Sequence, residues 1–248
     1  MTYRILRPAH AVALFLLAHL AVAQPLEQAT ADKLRAALEV PAMGLKVADV
    51  EPSEIDGLYA VQFENGPVVY ATASGDYFIL GDLFAVGKGG FVNLAEQRRD
   101  AQRAKKLDAL SPEEMIVFSA QGKPRAHLTV FTDVSCFYCQ KLHREVPELN
   151  RRGVEVRYLA YPRAGIDSDA YRQLATAWCA KNPQETLTRL KNREAVPENV
   201  CPDNPVAGQL QLGQELGVRG TPALVTEDGR MIPGYQSADE LMVTLGLK

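Results

Sequence analysis

The chain has 248 residues, with 27 basic and 30 acidic side chains and a formal net charge of −3. That acidic balance argues against a general nucleic-acid binder. Its four cysteines form an even set, which suits disulfide pairing if the chain is exported.

Residues 1–23 read as a secretory signal. Arg4 and Arg7 form a basic start, residues 11–20 a short apolar core, and Ala21-Val22-Ala23 a small-residue cleavage site before Gln24. A membrane anchor is the competing reading. The apolar core is too short for one, because a spanning helix needs about 20 apolar residues, and His19 interrupts it. No later stretch is apolar enough to span, so the mature chain is expected to be soluble. Cleavage after Ala23 leaves 25 basic against 30 acidic side chains and about 225 residues, more than one typical domain.

Residues 24–90 form the first part. Residues 29–38 pattern as a short amphipathic helix with Leu34 and Leu38 on one face. Runs at 44–50, 58–63, 68–72 and 77–80 read as strands, separated by the turns Glu64-Asn65-Gly66-Pro67 and Ser74-Gly75-Asp76. A helix and an antiparallel meander of fewer than about 70 residues bury little surface, and an open sheet has unpaired edges. Self-association covers both, so a dimerisation module is expected. The alternative is a small domain resting on the rest of its own chain.

Residues 91–112 are expected to form a linker helix. Positions 93–107 hold strong helix formers, no Gly and no Pro, and are polar almost all round. Such a helix is usually exposed between domains. Its basic cluster could serve an anionic partner, although a solvated face explains it as well.

Residues 113–248 form the second part. The order is strand 126–132, a cysteine pair, helix from 139 to about 151, strand 154–161 and a mostly helical stretch through Trp178. Helix 206–216, strands 223–226 and 230–233 around Glu227-Asp228-Gly229, and helix 238–247 complete it. Leu142, Val146 and Leu149 give the first of these helices an apolar stripe. Pro147 is expected to kink that helix or end it early.

The chemistry centres on Cys136-Phe137-Tyr138-Cys139, where the apolar run Leu128-Thr129-Val130-Phe131 gives way to a helix. A thiol at a helix N-terminus feels the positive end of the dipole, which favours thiolate. A second cysteine one turn on can close a disulfide with it, so the pair can cycle between dithiol and disulfide. A structural disulfide or half a zinc site are the other readings. Zinc needs two more ligands at compatible spacing, and Cys179 and Cys201 are 22 apart, not in a second Cys-x-x-Cys. His143, seven residues beyond Cys136, reads as a surface helix residue.

Strand, Cys-x-x-Cys at a helix start, strand, helical insert, Thr-Pro, two strands and a helix is the thioredoxin order. More narrowly, the chain resembles the bacterial periplasmic disulfide isomerases of the DsbC/DsbG type. The matching stretches are Phe131-Thr132-Asp133-Val134-Ser135-Cys136-Phe137-Tyr138-Cys139 with Lys141-Leu142-His143, Val156-Arg157-Tyr158-Leu159-Ala160-Tyr161-Pro162-Arg163, Trp178-Cys179-Ala180-Lys181, Gly220-Thr221-Pro222-Ala223 and Pro233-Gly234-Tyr235. Thr221 before Pro222 leans toward the DsbC side.

The resemblance implies an α+β and α/β chain: a C-terminal thioredoxin-like domain with a helical insertion, joined by a linker helix to a small N-terminal antiparallel β-meander dimerisation domain. It implies Cys136 as an exposed nucleophile and Cys139 as a buried resolving thiol. It implies a structural disulfide between Cys179 and Cys201, in the packed, inaccessible setting that Trp178 suggests. Closing a loop of that size is worth roughly 3 kcal/mol in the chain-entropy picture. A second redox pair is the rival reading. Thr221 and Pro222 would form a cis-proline loop beside the cysteines that pairs with substrate backbone, and Phe137 and Tyr138 would touch substrate.

Two departures stand out. Phe137 replaces the small residue more usual there. Val130 occupies the place of the buried acid that thioredoxins carry, so no such proton acceptor serves Cys139; Asp133 is nearer, but its direction is open.

The implied function is periplasmic disulfide isomerisation with chaperone activity, by a homodimer acting on misfolded disulfide-containing secreted proteins. A membrane reductant of the DsbD type would reset it. No cofactor, metal or nucleic-acid partner is expected. The alternatives are a reductase for one dedicated partner and a holdase chaperone.

Overall fold

The computed structural model describes residues 26–64 and 66–247. The signal segment and its cleavage site lie outside the described residues, as does Asn65.

The N-terminal part runs α1 (Gln28–Leu38), β1 (Val47–Pro52), β2 (Leu58–Phe63), β3 (Val68–Thr72) and β4 (Phe78–Leu80). The four strands form one antiparallel sheet in chain order. The first strand starts at Val47, not at 44, because a short 3-10 turn over Pro41–Met43 ends on Gly44 at φ 67°. Successive side chains alternate between faces. Val61, Phe63, Val69 and Ala71 meet Leu34 and Leu38 of α1. The opposite face carries Ala60, Val68 and Tyr70. A hairpin follows, β5 (Phe84–Gly87) with β6 (Gly90–Asn93), which the sequence reading missed.

Helix α2 (Leu94–Asp108) is capped by the Asn93 side chain, which accepts from the Glu96 N–H at 3.0 Å. The expectation of a helix solvated all round is corrected here. Arg98 Nη2 donates to Glu54 in the N-terminal part at 2.8 Å. Further along, Arg103 and Leu107 are buried. Arg103 Nε donates to the Gly229 carbonyl at 2.8 Å, and its guanidinium also pairs with Glu96 and Asp100. Leu107 joins the core of the C-terminal part. A helix with one docked edge still reads as polar, because its buried members include an arginine whose charge is met locally.

Gly229 makes that docking possible. Its φ is +81°, and a Cβ there would stand 1.8 Å from the Asp100 carbonyl oxygen. Gly229→Ala is expected to lower stability by at least about 2 kcal/mol, from positive φ plus a clash with backbone. Chemical denaturation measures it, and an unchanged midpoint contradicts the close approach.

The C-terminal part runs β7 (Ile116–Phe118), β8 (Ala126–Thr132), α3 (Phe137–Arg151), β9 (Val154–Ala160), α4 (Asp169–Trp178), α5 (Pro183–Lys191), α6 (Val206–Glu215), β10 (Ala223–Val225), β11 (Met231–Pro233) and α7 (Ala238–Thr244). The sheet order is β11-β10-β8-β9-β7. β8 and β9 are parallel and joined through α3; β7, β10 and β11 pair antiparallel. Both faces are covered, as a sheet with a parallel centre requires. Leu128 and Val130 pack on the face holding α3, α5 and α7, while Phe131 packs on the other with Leu210 and Leu107.

Pro147 neither ends nor shortens α3, which runs on to Arg151. Leu149 beyond it is fully buried, and the Asn150 amide donates to the carbonyls of Phe118 and Val154, both at 2.9 Å. Tertiary anchoring of the last turn outweighs the one backbone hydrogen bond that proline removes.

Candidate active site

β8 carries the chain inward, and every residue from 128 to 134 is buried. A three-residue loop, Asp133-Val134-Ser135, then leads to Cys136, the N-cap of α3. The Cys136 sulfur accepts from the Cys139 N–H at 3.3 Å, the place a Ser or Asp oxygen takes at most N-caps. The 15-residue helix turns the positive end of its dipole on that sulfur.

Asp133, whose direction was open, points inward. Its Oδ1 accepts from the Ser135 N–H and hydroxyl, each at 2.7 Å. Its Oδ2 accepts from the Arg163 N–H at 3.0 Å and Nε at 3.2 Å. Burial works against the charge, but these donors hold the carboxyl below its ordinary range. Asp133 thus fixes the loop and keeps the Arg163 charge close to Cys136.

The Thr221–Pro222 peptide is cis and lies across the sulfur. The Cys136 sulfur lies 3.2 Å from the Thr221 carbonyl, to which it donates only while it carries its proton. Cys136 is therefore only 3% exposed, which corrects the expectation of a sulfur standing clear of the surface. The exposed members of the motif are Phe137 at 58% and Tyr138 at 56%. Their rings meet edge to face, 5.5 Å apart. The Thr221 hydroxyl oxygen is buried and has no hydrogen-bond partner among the described residues. It is a donor in reserve that favours the ionised form of either thiol.

The two thiols are pushed apart. Cys136 falls to about 5. The main cause is the Cys139 side chain, which donates to the Cys136 sulfur; burial opposes it, and the Thr221 side chain, the Cys139 N–H and Arg163 all add to the fall. Cys139, fully buried, is driven far up by burial and then by that same hydrogen bond, with the Lys191 charge acting in the opposite sense. At neutral pH one sulfur is an anion and its neighbour is a thiol that stabilises it. A low-pKa thiolate is also a good leaving group, so it can attack and be expelled again.

The other expected residues lie apart from this centre. Cys179 and Cys201 are bonded to each other, with Cα atoms 5.7 Å apart. Both are half-buried, so the inaccessible setting read from Trp178 is corrected. Trp178 is itself half-buried, its Nε1 donating to the Glu114 carbonyl at 2.8 Å.

His143 is not a surface residue. It is 7% exposed, with Nδ1 3.1 Å from the Tyr158 hydroxyl and Nε2 3.0 Å from the Thr188 hydroxyl. Burial, and then the Lys191 charge, lower it to about 3. Its position four after Cys139 and three before Val146 puts it on the buried stripe, and that signal was present in the sequence.

Lys191 was missed entirely. It lies four residues after Leu187 on the buried face of α5, a lysine on an apolar stripe. Val130 is a core residue, as its type suggests.

Residues 111–246 match the family described as thioredoxin-like domain. Residues 21–96 match the disulfide bond isomerase protein N-terminal domain. The thiol:disulfide interchange protein DsbC of Escherichia coli K12 is 38% identical over 199 residues, spanning 80% of this chain and 81% of that protein. Its counterpart from Dickeya dadantii is 37% identical over 203 residues, spanning 82% of each. Among solved structures, Proteus mirabilis ScsC in a transitional conformation superposes with a TM-score of 0.50 at 20% identity, over 62% of this chain and 84% of that one. That last likeness speaks to the fold alone.

Proposed function

The chain belongs to the DsbC family of thiol:disulfide interchange proteins, and from that premise we propose that Cys136 and Cys139 carry its activity as attacking and resolving sulfurs. The chain is a thiol–disulfide oxidoreductase that isomerises disulfides. The Cys136 thiolate attacks one sulfur of a wrong disulfide. A Cys136–substrate bond forms, the substrate bond breaks, and the expelled sulfur leaves with the electron pair. That freed thiolate attacks a second substrate disulfide and expels a new substrate thiolate, which attacks the substrate sulfur of the mixed disulfide, so that a different substrate disulfide forms and Cys136 leaves as the thiolate it began as. No net oxidation occurs when the cycle closes this way.

When the substrate stalls, Cys139 attacks Cys136, the substrate departs reduced, and the enzyme is left oxidised. An electron donor must then restore the dithiol, and a membrane reductant of the DsbD type fits an oxidising periplasm. Thr221 and Pro222 border the sulfur and offer backbone to an extended substrate strand, and Phe137 and Tyr138 offer it apolar contact. The disulfide between Cys179 and Cys201 has a structural role.

Periplasmic residence follows from the family, and export with cleavage after Ala23 fits it. The described residues contain no helix long and apolar enough to cross a membrane. Two chains meet through the N-terminal part, and the cleft between them holds misfolded chains, a chaperone action alongside the isomerase one.

The observation that carries this reading is the Cys136 sulfur at the head of α3, its pKa lowered to about 5 beside a resolving thiol pushed far up. Its test reads refolding of a scrambled substrate and alkylation of the reduced protein in one preparation. Cys136 alkylation is expected to be flat above about pH 6 and to fall about tenfold per pH unit below 5, where the thiolate takes a proton. Cys139 should stay unmodified. Position 136 reacting at pH 7 no faster than free cysteine overturns the assignment.

A further inference from the structure

Lys191 closes α5 and is 2% exposed. Its ammonium has three protons to donate, and one hydrogen bond is formed, to the Thr132 hydroxyl at 2.6 Å. The Tyr158 ring lies 5.4 Å from Nζ. No carboxylate pairs with it among the described residues. An unpaired buried cation is costly to keep. Thr132 at the end of β8 and Tyr158 of β9 lie against it, and its charge is felt electrostatically by Asp133 in the loop beyond, Cys136, Cys139 and His143. Thr188 on its own helix is spent on His143. His143 is neutral at pH 7 and Tyr158 keeps its proton, both for reasons of burial. Asp133 is already held by Arg163 and Ser135. The remaining anions are the two sulfurs once ionised.

We propose that Lys191 is the buried cation that stabilises the Cys139 thiolate in the step that frees the enzyme from a stalled mixed disulfide. It is a positioning residue acting through the field it sets, and the inference rests on the exchanger reading above. Cys139 gives up its proton and its sulfur attacks Cys136. The Cys139–Cys136 bond forms, the Cys136–substrate bond breaks, and the departing substrate sulfur takes the electron pair and a proton. Substrate is reduced by two electrons and the enzyme pair is oxidised by two. A buried acid assists such a step by accepting the proton; Lys191 assists it by stabilising the anion that remains. Burial lowers Lys191 to about 8, while the two cysteines and Asp133 favour its charge. It is therefore still cationic at neutral pH. Once the disulfide has formed the cation loses its anion, so the charge also favours the reduced state.

The test uses the full chain with Lys191→Met and Lys191→Gln. Cys136 is loaded with thionitrobenzoate, and release of the coloured thiol by Cys139 is followed against pH. Both variants are expected to release it about tenfold more slowly at pH 7, with the rise displaced about one pH unit upward. Cys136 alkylation should change less than about twofold, and the equilibrium with glutathione should move toward the enzyme disulfide. Gln retains a donor for Thr132 without the charge, so a Gln variant with the wild-type profile overturns the proposal, as does an unchanged profile in Met. If Met fails to fold, Gln decides. Wild-type protein that releases nothing defeats the exchanger reading instead.

Discussion

The Cys136→Ala chain is expected to lose all refolding of a scrambled multi-disulfide substrate while still suppressing aggregation. No other sulfur can take over. Cys139 is fully buried and holds its proton far above neutral pH, and Cys179 and Cys201 are bonded to each other. The loss should therefore be complete, not the partial loss expected when a helper group is removed. Suppression of aggregation depends on apolar contact, and the substitution leaves Phe137, Tyr138 and the whole N-terminal part in place. Gel-based or activity-based recovery of the scrambled substrate reads the first effect, and light scattering the second. Refolding that continues at the wild-type rate removes Cys136 from the mechanism.

A fragment beginning at Leu94 is expected to be a monomer, while the chain from Gln24 runs at twice its own monomer mass at micromolar concentration. Among the apolar residues left in water, one group lies close together in sequence in the N-terminal part: Tyr77, Phe78, Ile79, Leu80, Phe84, Val86 and Phe91 are all exposed. β4 is also the last strand of its sheet, with one edge unpaired. An apolar patch beside an open strand edge is what a second copy can cover. The fragment keeps α2, because Arg103 and Leu107 hold that helix to the C-terminal part, and it keeps the two-sided core around β8 and β9. Its Cys136 alkylation profile should match the full chain while its recovery of scrambled substrate falls. Analytical ultracentrifugation decides the mass, and a monomeric full chain defeats the dimer.

The legible parts of the fold were those where one pattern dominates. β8 carries the apolar residues Leu128, Val130 and Phe131 just ahead of the cysteines, and α3 shows its stripe at Leu142, Val146 and Leu149. The hairpin of β5 and β6 was hidden because Gly87, Gly89 and Gly90 interrupt its alternation. β7 is three residues long, too short for a period to show. At the site, the cysteines and Thr221-Pro222 could be named from spacing and resemblance. What could not be read was burial. His143 and Lys191 are polar residue types on buried helix faces, and their partners, Tyr158, Thr188 and Thr132, come from other elements. Pro147 does not end α3 early for the same reason, since the anchor at Asn150 is tertiary.

With Cys136 as the attacking sulfur and Phe137 and Tyr138 touching substrate, as proposed, the recessed sulfur and the two wet rings beside it would act as a filter. A polypeptide would have to lay a slack, greasy stretch along those rings before any of its own cystines came within bonding range. Loosely folded clients can unroll such a stretch; finished ones have already tucked theirs away. Correct cross-links would then be spared by shape, with no need for the enzyme to recognise any particular protein.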